Sequence, residues 1–331
     1  MSAVTLAKVA RHAGVSLATA SRVLNGSSRK PAESIAVRVR ASAQALGYVP
    51  NAQAQGLARS TTGLIGLVVH DIADPYFSSI AKGVQRRAFA EGQQMLLTAG
   101  DGTGAGQVSA FIAHRTRAII MAGSRRQEID PGLVTELDRY QDNGGKVVTI
   151  GQAWLDEASA VTIDNYNAGV VLAETFIREG HRRFAFLGGP DDIVTAADRR
   201  DGFKVALERA GLAAEDITSD AFSTPGGYDA ATALVESRDI EDLRGLIVIA
   251  ANDVMALGAI AAFRDAGLNV PHDLWVAGFG DIPYSRHYSP ALTTMRFPLE
   301  NIGEMAADIA LYADQPRIEH IVGEIIRRES A

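Results

Sequence analysis

The sequence predicts an α/β protein in two parts, a head of three helices and a body of two lobes with doubly wound parallel sheets. In residues 1–60, apolar side chains recur at the spacing of short amphipathic helices. From Gly63 onward, short apolar runs alternate with amphipathic stretches, which is typical of parallel strands covered by helices on both faces. This pattern continues for about 270 residues, more than one hydrophobic core usually holds, so two lobes are expected.

The ionisable residues are divided unevenly between these two parts. The first 60 residues contain eight Lys or Arg residues and one acid, Glu33, and therefore carry +7. The whole chain carries −7, so the remainder carries −14. A basic segment on an acidic body is expected when only that segment contacts phosphates. A basic tail that merely improves solubility is the alternative, but the helical pattern of the segment argues against it.

The composition also restricts the class of protein and the chemistry of its sites. The chain has no cysteine, which excludes disulfides and thiolate metal sites and is consistent with a reducing cytoplasm. The N-terminus lacks the apolar stretch of a secretory signal, and no run of about 18 apolar residues can span a bilayer. The scattered histidines lack the spacing of metal ligands. We therefore expect a cytoplasmic protein without cofactor, metal or catalytic residues.

Three helices are predicted in the head. Thr5 is the expected N-cap of the first helix, and Gly14 ends that helix because it tolerates the positive φ of a tight turn. Ser16 is the expected N-cap of the second helix. A third helix ends at Gly47. Two short helices that are joined by a glycine turn and braced by a third form a helix-turn-helix.

The outward face of the second helix, residues 16–25, is the predicted DNA-contacting surface. Arg22 can form two hydrogen bonds to guanine, and Leu17 or Ala18 can pack on a thymine methyl group. Other side chains on or near this helix are of the types that bind phosphates, namely Thr5, Ser16, Thr19, Ser21 and Asn25. A protein-docking module in which Arg22 forms a surface salt bridge is the alternative.

The head resembles that of the lactose/galactose-repressor family of bacterial transcriptional regulators. The resemblance rests on four ordered motifs, at residues 4–10, 13–16, 19–26 and 46–52. It implies that residues 51–61 form a hinge helix that orders on operator DNA. It also implies that Leu57 of each of two subunits inserts into the minor groove, where an apolar side chain kinks the duplex. A linker leucine packed against the body is the alternative for Leu57.

The resemblance continues through nearly all of the body. Its landmarks include residues 74–77, 163–165, 180–183, 199–203, 252–258 and 290–294. It implies a fold like that of periplasmic sugar-binding proteins, in which the chain crosses between the lobes near residues 162, 291 and 320. The expected divisions are the head at 1–50, the hinge at 51–61 and the body at 62–331, with an N-lobe of 62–162 and 292–320 and a C-lobe of 163–291 and 321–331.

A ligand of such a body is expected between the lobes, at the carboxyl ends of the strands. By resemblance, Tyr76 and Phe77 would offer flat apolar surface, and Asp164 would accept hydrogen bonds from ligand hydroxyls or amines. Arg199 would donate to hydroxyl or carboxylate oxygens. The opposite wall would include Phe222, Asn252 and Asp281, with Trp154 as a weaker candidate. The alternatives are core packing for each aromatic residue and a surface ion pair for Arg199.

Two departures from the family pattern bear on the identity of the ligand. Gly280 stands where relatives usually carry an acid. The segment of residues 100–106 is shorter and richer in glycine than its usual counterpart in the family. Both departures argue against a standard hexose. Residues 100–105 also fit the dinucleotide-binding pattern G-x-G-x-x-A, with Arg125 after the next strand, but a glycine-rich surface turn is the favoured interpretation.

These features together predict a homodimeric transcriptional regulator, with a repressor favoured. It would bind a pseudo-palindromic operator and respond to a small-molecule effector, with a sugar or sugar-derived metabolite favoured. No leucine heptads follow the last predicted strand, so we expect a dimer without a tail-mediated tetramer. An enzyme is one alternative. An exported sugar-binding protein is the other, but it would need an export signal and would not need the head.

Overall fold

The computed structural model describes residues 4–25, 31–49, 63–100, 104–123, 126–219 and 221–331. The chain divides into two compact units, residues 1–63 and residues 64–331. The predicted hinge at residues 51–61, with Leu57, lies outside the described residues.

The head contains the three predicted helices, α1 (Leu6–Ala13), α2 (Leu17–Asn25) and α3 (Glu33–Ala45). Gly14 ends α1 in the left-handed conformation, with φ of 62°, as the turn requires. One side chain from each helix is fully buried where the three meet, namely Val9, Ala20 and Val39. This arrangement confirms the helix-turn-helix architecture.

The first lobe of the body alternates strands and helices. Its consecutive elements are β1 (Leu64–Val69), α4 (Pro75–Ala90), β2 (Gln94–Ala99), α5 (Ala105–Ala113), β3 (Ala118–Ala122), α6 (Pro131–Asp142), β4 (Lys146–Gly151) and β5 (Ser159–Ile163). The strands form a parallel sheet in the order β11-β5-β4-β3-β1-β2, in which β11 (Ile318–Ile321) returns from the end of the chain.

The second lobe repeats this alternation. Its elements are α7 (Asn165–Arg178), β6 (Phe184–Gly188), α8 (Val194–Arg209), β7 (Ala214–Thr218), α9 (Thr224–Glu236), α10 (Ile240–Leu243), β8 (Ile247–Ala250), α11 (Asp253–Asp265), β9 (Trp275–Gly280) and β10 (Thr293–Arg296). Between β10 and β11, α12 (Leu299–Tyr312) packs against α4 of the first lobe, and β12 (Glu324–Ile326) follows β11. The second sheet has the order β12-β10-β9-β8-β6-β7, and only β12 is antiparallel.

The second chain crossing differs from the one predicted near residue 291. The resemblance places residues 292–320 in the first lobe, but β10 lies in the second sheet beside β9. The reason is the burial of Thr293 and Thr294, which are bonded within the second lobe. The chain therefore leaves the second lobe after Arg296. The other two crossings follow β5 and β11.

Three pairs of helices pack with their backbones in close contact through facing glycines. A Cβ atom at Gly83 of α4 would lie 1.9 Å from the carbonyl oxygen of Glu300 in α12, and one at Gly303 would lie 2.1 Å from that of Ile80. The other two pairs make the same kind of backbone contact. Gly169 and Gly202 face each other's helices in α7 and α8, and Gly227 and Gly258 do so in α9 and α11. The positions of these helices are therefore set by main-chain contact.

Two features are absent from the described part of the chain. None of its helices is both long and apolar enough to cross a membrane. It contains no group of three His, Asp or Glu side chains arranged to hold a metal ion.

The close contact at Gly83 leads to a prediction about stability. A Gly83→Ala substitution should lower the free energy of unfolding by about 1–3 kcal/mol or more, because the helices must separate to admit the methyl group. Gly106→Ala in α5 is the matched control, since a Cβ atom there meets nothing within 4 Å. That change should be neutral or stabilising by about 0.5–1 kcal/mol. Urea unfolding of the full chain tests this, and equal midpoints for the two variants would contradict it.

Candidate functional site

A cavity of about 300 Å³ lies between the two sheets of the body. Its walls come from the loops that follow strands of both lobes, at their carboxyl ends, which is the expected place for a ligand in this architecture. Tyr76, Phe77, Phe222 and Phe279 supply aromatic surface. The polar lining includes Asp71, Asp74, Asn165, Thr195, Arg199, Asn252 and Asp253.

Arg199 is the central polar group of the cavity. Its side chain is buried, with 2% of the residue exposed. Its Nε donates to Asn165 Oδ1 at 2.9 Å and its Nη1 donates to the carbonyl of Ala251 at 2.7 Å, while the guanidinium carbon lies 4.9 Å from the ring centre of Phe279. Burial lowers the pKa of Arg199 to about 10, so the group stays charged at neutral pH. Within the described residues, its Nη2 makes no hydrogen bond and can bind a ligand.

Asp74 lies on the wall contributed by the first lobe. It is the N-cap of α4, where its Oδ1 accepts from Tyr76 N at 2.8 Å. Its second oxygen has no hydrogen bond within the described residues. Burial raises the pKa of Asp74 to about 6, against the effect of the Tyr76 N–H, and the nearby carboxylates of Asp71 and Asp253 raise it further. Burial also raises the pKa of Tyr76 to about 12.

Three side chains of the second lobe lie at the starts of helices that point toward the cavity. Ser223 caps α9 by accepting from Gly226 N at 3.2 Å, and Asn252 caps α11 by accepting from Met255 N at 2.8 Å. Asp253, the first residue of α11, is fully buried, and burial raises its pKa. Three donors oppose that shift in pKa, from Thr294, Ser285 and the Ile282 N–H at 2.5, 2.7 and 3.0 Å. Asp253 therefore joins the start of α11 to β10 and to the loop that contains Ile282 and Ser285.

Five of the predicted effector residues line this cavity, namely Tyr76, Phe77, Arg199, Phe222 and Asn252. The buried position of Arg199 rules out the alternative of a surface ion pair. Trp154 lines a smaller, adjoining cavity of about 90 Å³.

Asp164 and Asp281 are not brought to the cavity, and these two expectations are corrected. Asp164 is the N-cap of α7, where its carboxylate accepts from the backbone and side chain of Asn167. Asp281 is largely buried between Arg296 and Arg328, each with nitrogen to oxygen distances of 2.6 Å. Helix capping and ion pairing thus satisfy these carboxylates away from a ligand.

Sequence reasoning missed several residues of the lining. Asn165 directly follows Asp164 and is the member of that pair that faces the cavity and bonds Arg199. Asp74 precedes a proline at the start of a predicted helix, which is a readable N-cap signal. Thr195 and Phe279 carry no comparable signal. The glycine-rich motif at 100–105 cannot be placed, because residues 101–103 and Arg125 lie outside the described residues.

The head presents several of the predicted DNA-contacting residues on its surface. Arg22 and Ala18 are exposed, and Leu17 is 53% exposed although it is apolar. Ser16 caps α2 by accepting from Thr19 N at 3.1 Å. Thr5 is the exposed N-cap of α1, whereas Thr19 and Ser21 are half-buried, and the side chain of Asn25 lies outside the described residues.

The raised pKa of Asp74 predicts a pH-dependent contribution to stability. Between about pH 4 and pH 6 the folded state holds this proton more tightly than the unfolded state, so the contribution of Asp74 to stability falls as pH rises. Asp74→Asn keeps a capping oxygen but cannot ionise. The variant should gain stability relative to the parent across this window, with a plateau above it, in urea unfolding at pH 4, 5, 6 and 7. Asp130→Asn makes the same change at the N-cap of α6. An equal pH trend in that control would contradict the assignment to the cavity.

Two family models match the chain. Residues 5–51 match the bacterial regulatory proteins of the lacI family, and residues 173–331 match the periplasmic binding protein-like domain.

Curated relatives match over almost the whole length of the chain. The HTH-type transcriptional regulator GalR of Escherichia coli K12 is 32% identical, over 98% of this chain and 95% of GalR. The ribose operon repressor of the same strain is 32% identical, over 95% of this chain and 94% of that protein. The HTH-type transcriptional repressor PurR of Photorhabdus laumondii is 31% identical, over 93% of this chain and 89% of PurR.

Solved structures with the same fold include the lac repressor dimer bound to operator and the anti-inducer ONPF. Its TM-score is 0.83 at 25% identity, over 99% of both chains. The complex of the transcriptional regulator CelR with cellobiose has a TM-score of 0.68 at 28% identity, over 99% of this chain and 100% of CelR. These matches confirm the predicted fold class and the resemblance on which it rested. The chain belongs to the LacI family of bacterial transcriptional regulators.

Proposed function

We propose that this protein is a homodimeric transcriptional repressor that binds a pseudo-palindromic operator through its head and a small-molecule effector through its body. The observation that carries the proposal is the outer face of α2, where Leu17, Ala18 and Arg22 are exposed on a basic helix-turn-helix. The LacI family is one of transcriptional regulators rather than enzymes. A regulator of this kind acts in the cytoplasm, where the bacterial chromosome lies.

In the proposed complex, α2 lies in the major groove. Arg22 would read a guanine through two hydrogen bonds, and Leu17 and Ala18 would contact thymine methyl groups. Hydroxyl and amide groups near the ends of the helices, including Thr5 and Ser16, would fix the register through phosphate contacts. Leu57 would open the minor groove between the two half-sites.

The proposed effector lies in the cavity of the body. Arg199 Nη2 and Asp74 Oδ2 offer one donor and one acceptor from opposite lobes, and aromatic rings such as Tyr76 and Phe222 offer flat surface. A ring with pairs of hydroxyl groups and an apolar face would match this combination. The hydroxyl groups would bond to the donor and the acceptor, and the apolar face would pack on the aromatic rings. A sugar or sugar-derived metabolite is therefore the favoured effector class, and the neighbouring CelR structure contains cellobiose.

Effector binding would control DNA binding through the two lobes. A ligand that contacts Arg199 in one lobe and Asp74 in the other stabilises one angle between the lobes over others. A change in that angle reaches the head through residues 50–62. Coupling of this type is typically worth about 1–3 kcal/mol.

The proposed reading of guanine by Arg22 predicts a loss of sequence discrimination. Arg22→Ala should weaken operator binding by about 5- to 150-fold, since a bidentate pair is worth ~1–3 kcal/mol. Binding to a scrambled duplex should weaken less. Fluorescence anisotropy of the full chain, on an operator selected from random duplexes, measures both. Arg38→Ala removes an exposed arginine from α3 and is the matched control. Equal losses on both duplexes in both variants would contradict the assignment.

The proposed effector cavity predicts a stabilising ligand. A thermal-shift screen of sugars, sugar acids and nucleobases on the full chain should yield a compound that raises Tm. Phe222→Ala should weaken the affinity of that compound by about tenfold, or ~1.4 kcal/mol, because an aromatic wall is lost. Tyr228→Ala, on the outer surface of α9, is the control. A compound whose affinity survives in the Phe222 variant would bind elsewhere.

A further inference from the structure

The three chain crossings lie at one edge of both sheets. The strands that carry them are β5 and β11 in the first lobe and β10 and β12 in the second. In each sheet these strands occupy the two outermost positions of one edge. The covalent connections between the lobes are therefore gathered at one side of the cavity.

A second set of contacts joins the lobes away from that edge. Arg126, after β3, forms an ion pair with Asp192, after β6, and an antiparallel bridge with Ile193. The Gln127 N–H donates to the carbonyl of Asp192 at 2.9 Å, and its side chain donates to the carbonyl of Asp191 at 3.3 Å. Strands β3 and β6 lie fourth and fifth from the crossing edge.

A third contact joins the lobes between these two places. Gln152, which follows β4, donates through Nε2 to Thr195 Oγ1 in the first turn of α8 at 2.9 Å. Arg126, Ile193 and Thr195 also line the cavity. We call the contacts of Arg126, Gln127 and Gln152 with residues 191–195 the latch.

We propose that the latch is the gate of the cavity, which holds the two lobes closed over the cavity and must open for a small molecule to enter or leave. The lobes are hinged at one edge by the crossings, so separation must occur on the side that carries the latch. The identity of the molecule as an effector rests on the proposed function, but the gate itself does not.

The individual contacts of the latch are weak enough to break reversibly. The side chains of Arg126 and Asp192 are 48% and 46% exposed, and an ion pair at such exposure shifts an equilibrium by only about twofold to fivefold. The remaining contacts are single hydrogen bonds whose partners can bond to water instead. Opening therefore breaks a few polar contacts, one of them to the buried Thr195, and leaves the strands of each lobe paired within their own sheet.

The test measures how often the gate opens, and it needs no ligand. The chain has no cysteine, so an Ile150→Cys substitution places a single thiol in the cavity wall, where Ile150 is 2% exposed. The rate at which 5,5′-dithiobis(2-nitrobenzoate) labels this thiol in the full chain is proportional to the opening equilibrium, when closing is faster than labelling.

Asp192→Ala is the informative change, because Asp192 belongs to the latch but does not line the cavity. We expect it to raise the labelling rate about twofold to fivefold. Asp191→Ala is the matched control, since the side chain of Asp191 pairs with Arg200 inside the second lobe. That control should label at the parent rate. Adding Arg126→Ala to Asp192→Ala should give little further increase, because the two side chains form one contact.

Equal labelling rates for the parent, the Asp192 variant and the Asp191 variant would overturn the proposal, because the thiol would then be reached without opening the latch. That outcome would leave the proposed effector function standing. A failed thermal-shift screen would remove the effector function and leave the labelling result unaffected.

Discussion

The hydrogen bond between Arg199 and Asn165 is the interaction on which the cavity depends. A guanidinium group that is removed from water must be bonded on most of its edges, or the fold loses stability. Here the partners come from four places, Asn165 at the first crossing, Ala251 after β8, and the ring faces of Phe279 in β9 and Phe297 at the second crossing. One buried charge thus fixes the second-lobe wall and two of the connections to the first lobe.

A separate ion cluster occupies the crossing edge of the second lobe. Asp281 contacts Arg296 at the end of β10 and Arg328 beyond β12, and Arg296 also contacts Glu324 where β12 begins. This cluster joins the second and third crossings within one lobe. Asp281, the acid expected to bind a ligand, thus stabilises the region about which the lobes would turn. It acts on the cavity through the angle between the lobes.

The sequence predicts the helix-turn-helix and the parallel sheets because both arise from local patterns, the spacing of apolar residues and the glycine turn. Resemblance adds Tyr76 and Arg199 to the cavity. The choice between Asp164 and Asn165 was beyond sequence reasoning, because it depends on the residue at which α7 begins. The sequence also could not show which sheet contains β10. A strand of four residues is placed by hydrogen bonds to residues far away in the chain, here Asp253 and Ser330.

The facing glycines of the three helix pairs have a consequence for how such a protein diversifies. Where two helices touch main chain to main chain, the distance between them is independent of side-chain volume. The scaffold therefore keeps its dimensions while the residues around the ligand are exchanged. Mutation can then retune chemical selectivity one position at a time, without a compensating change in the supporting framework.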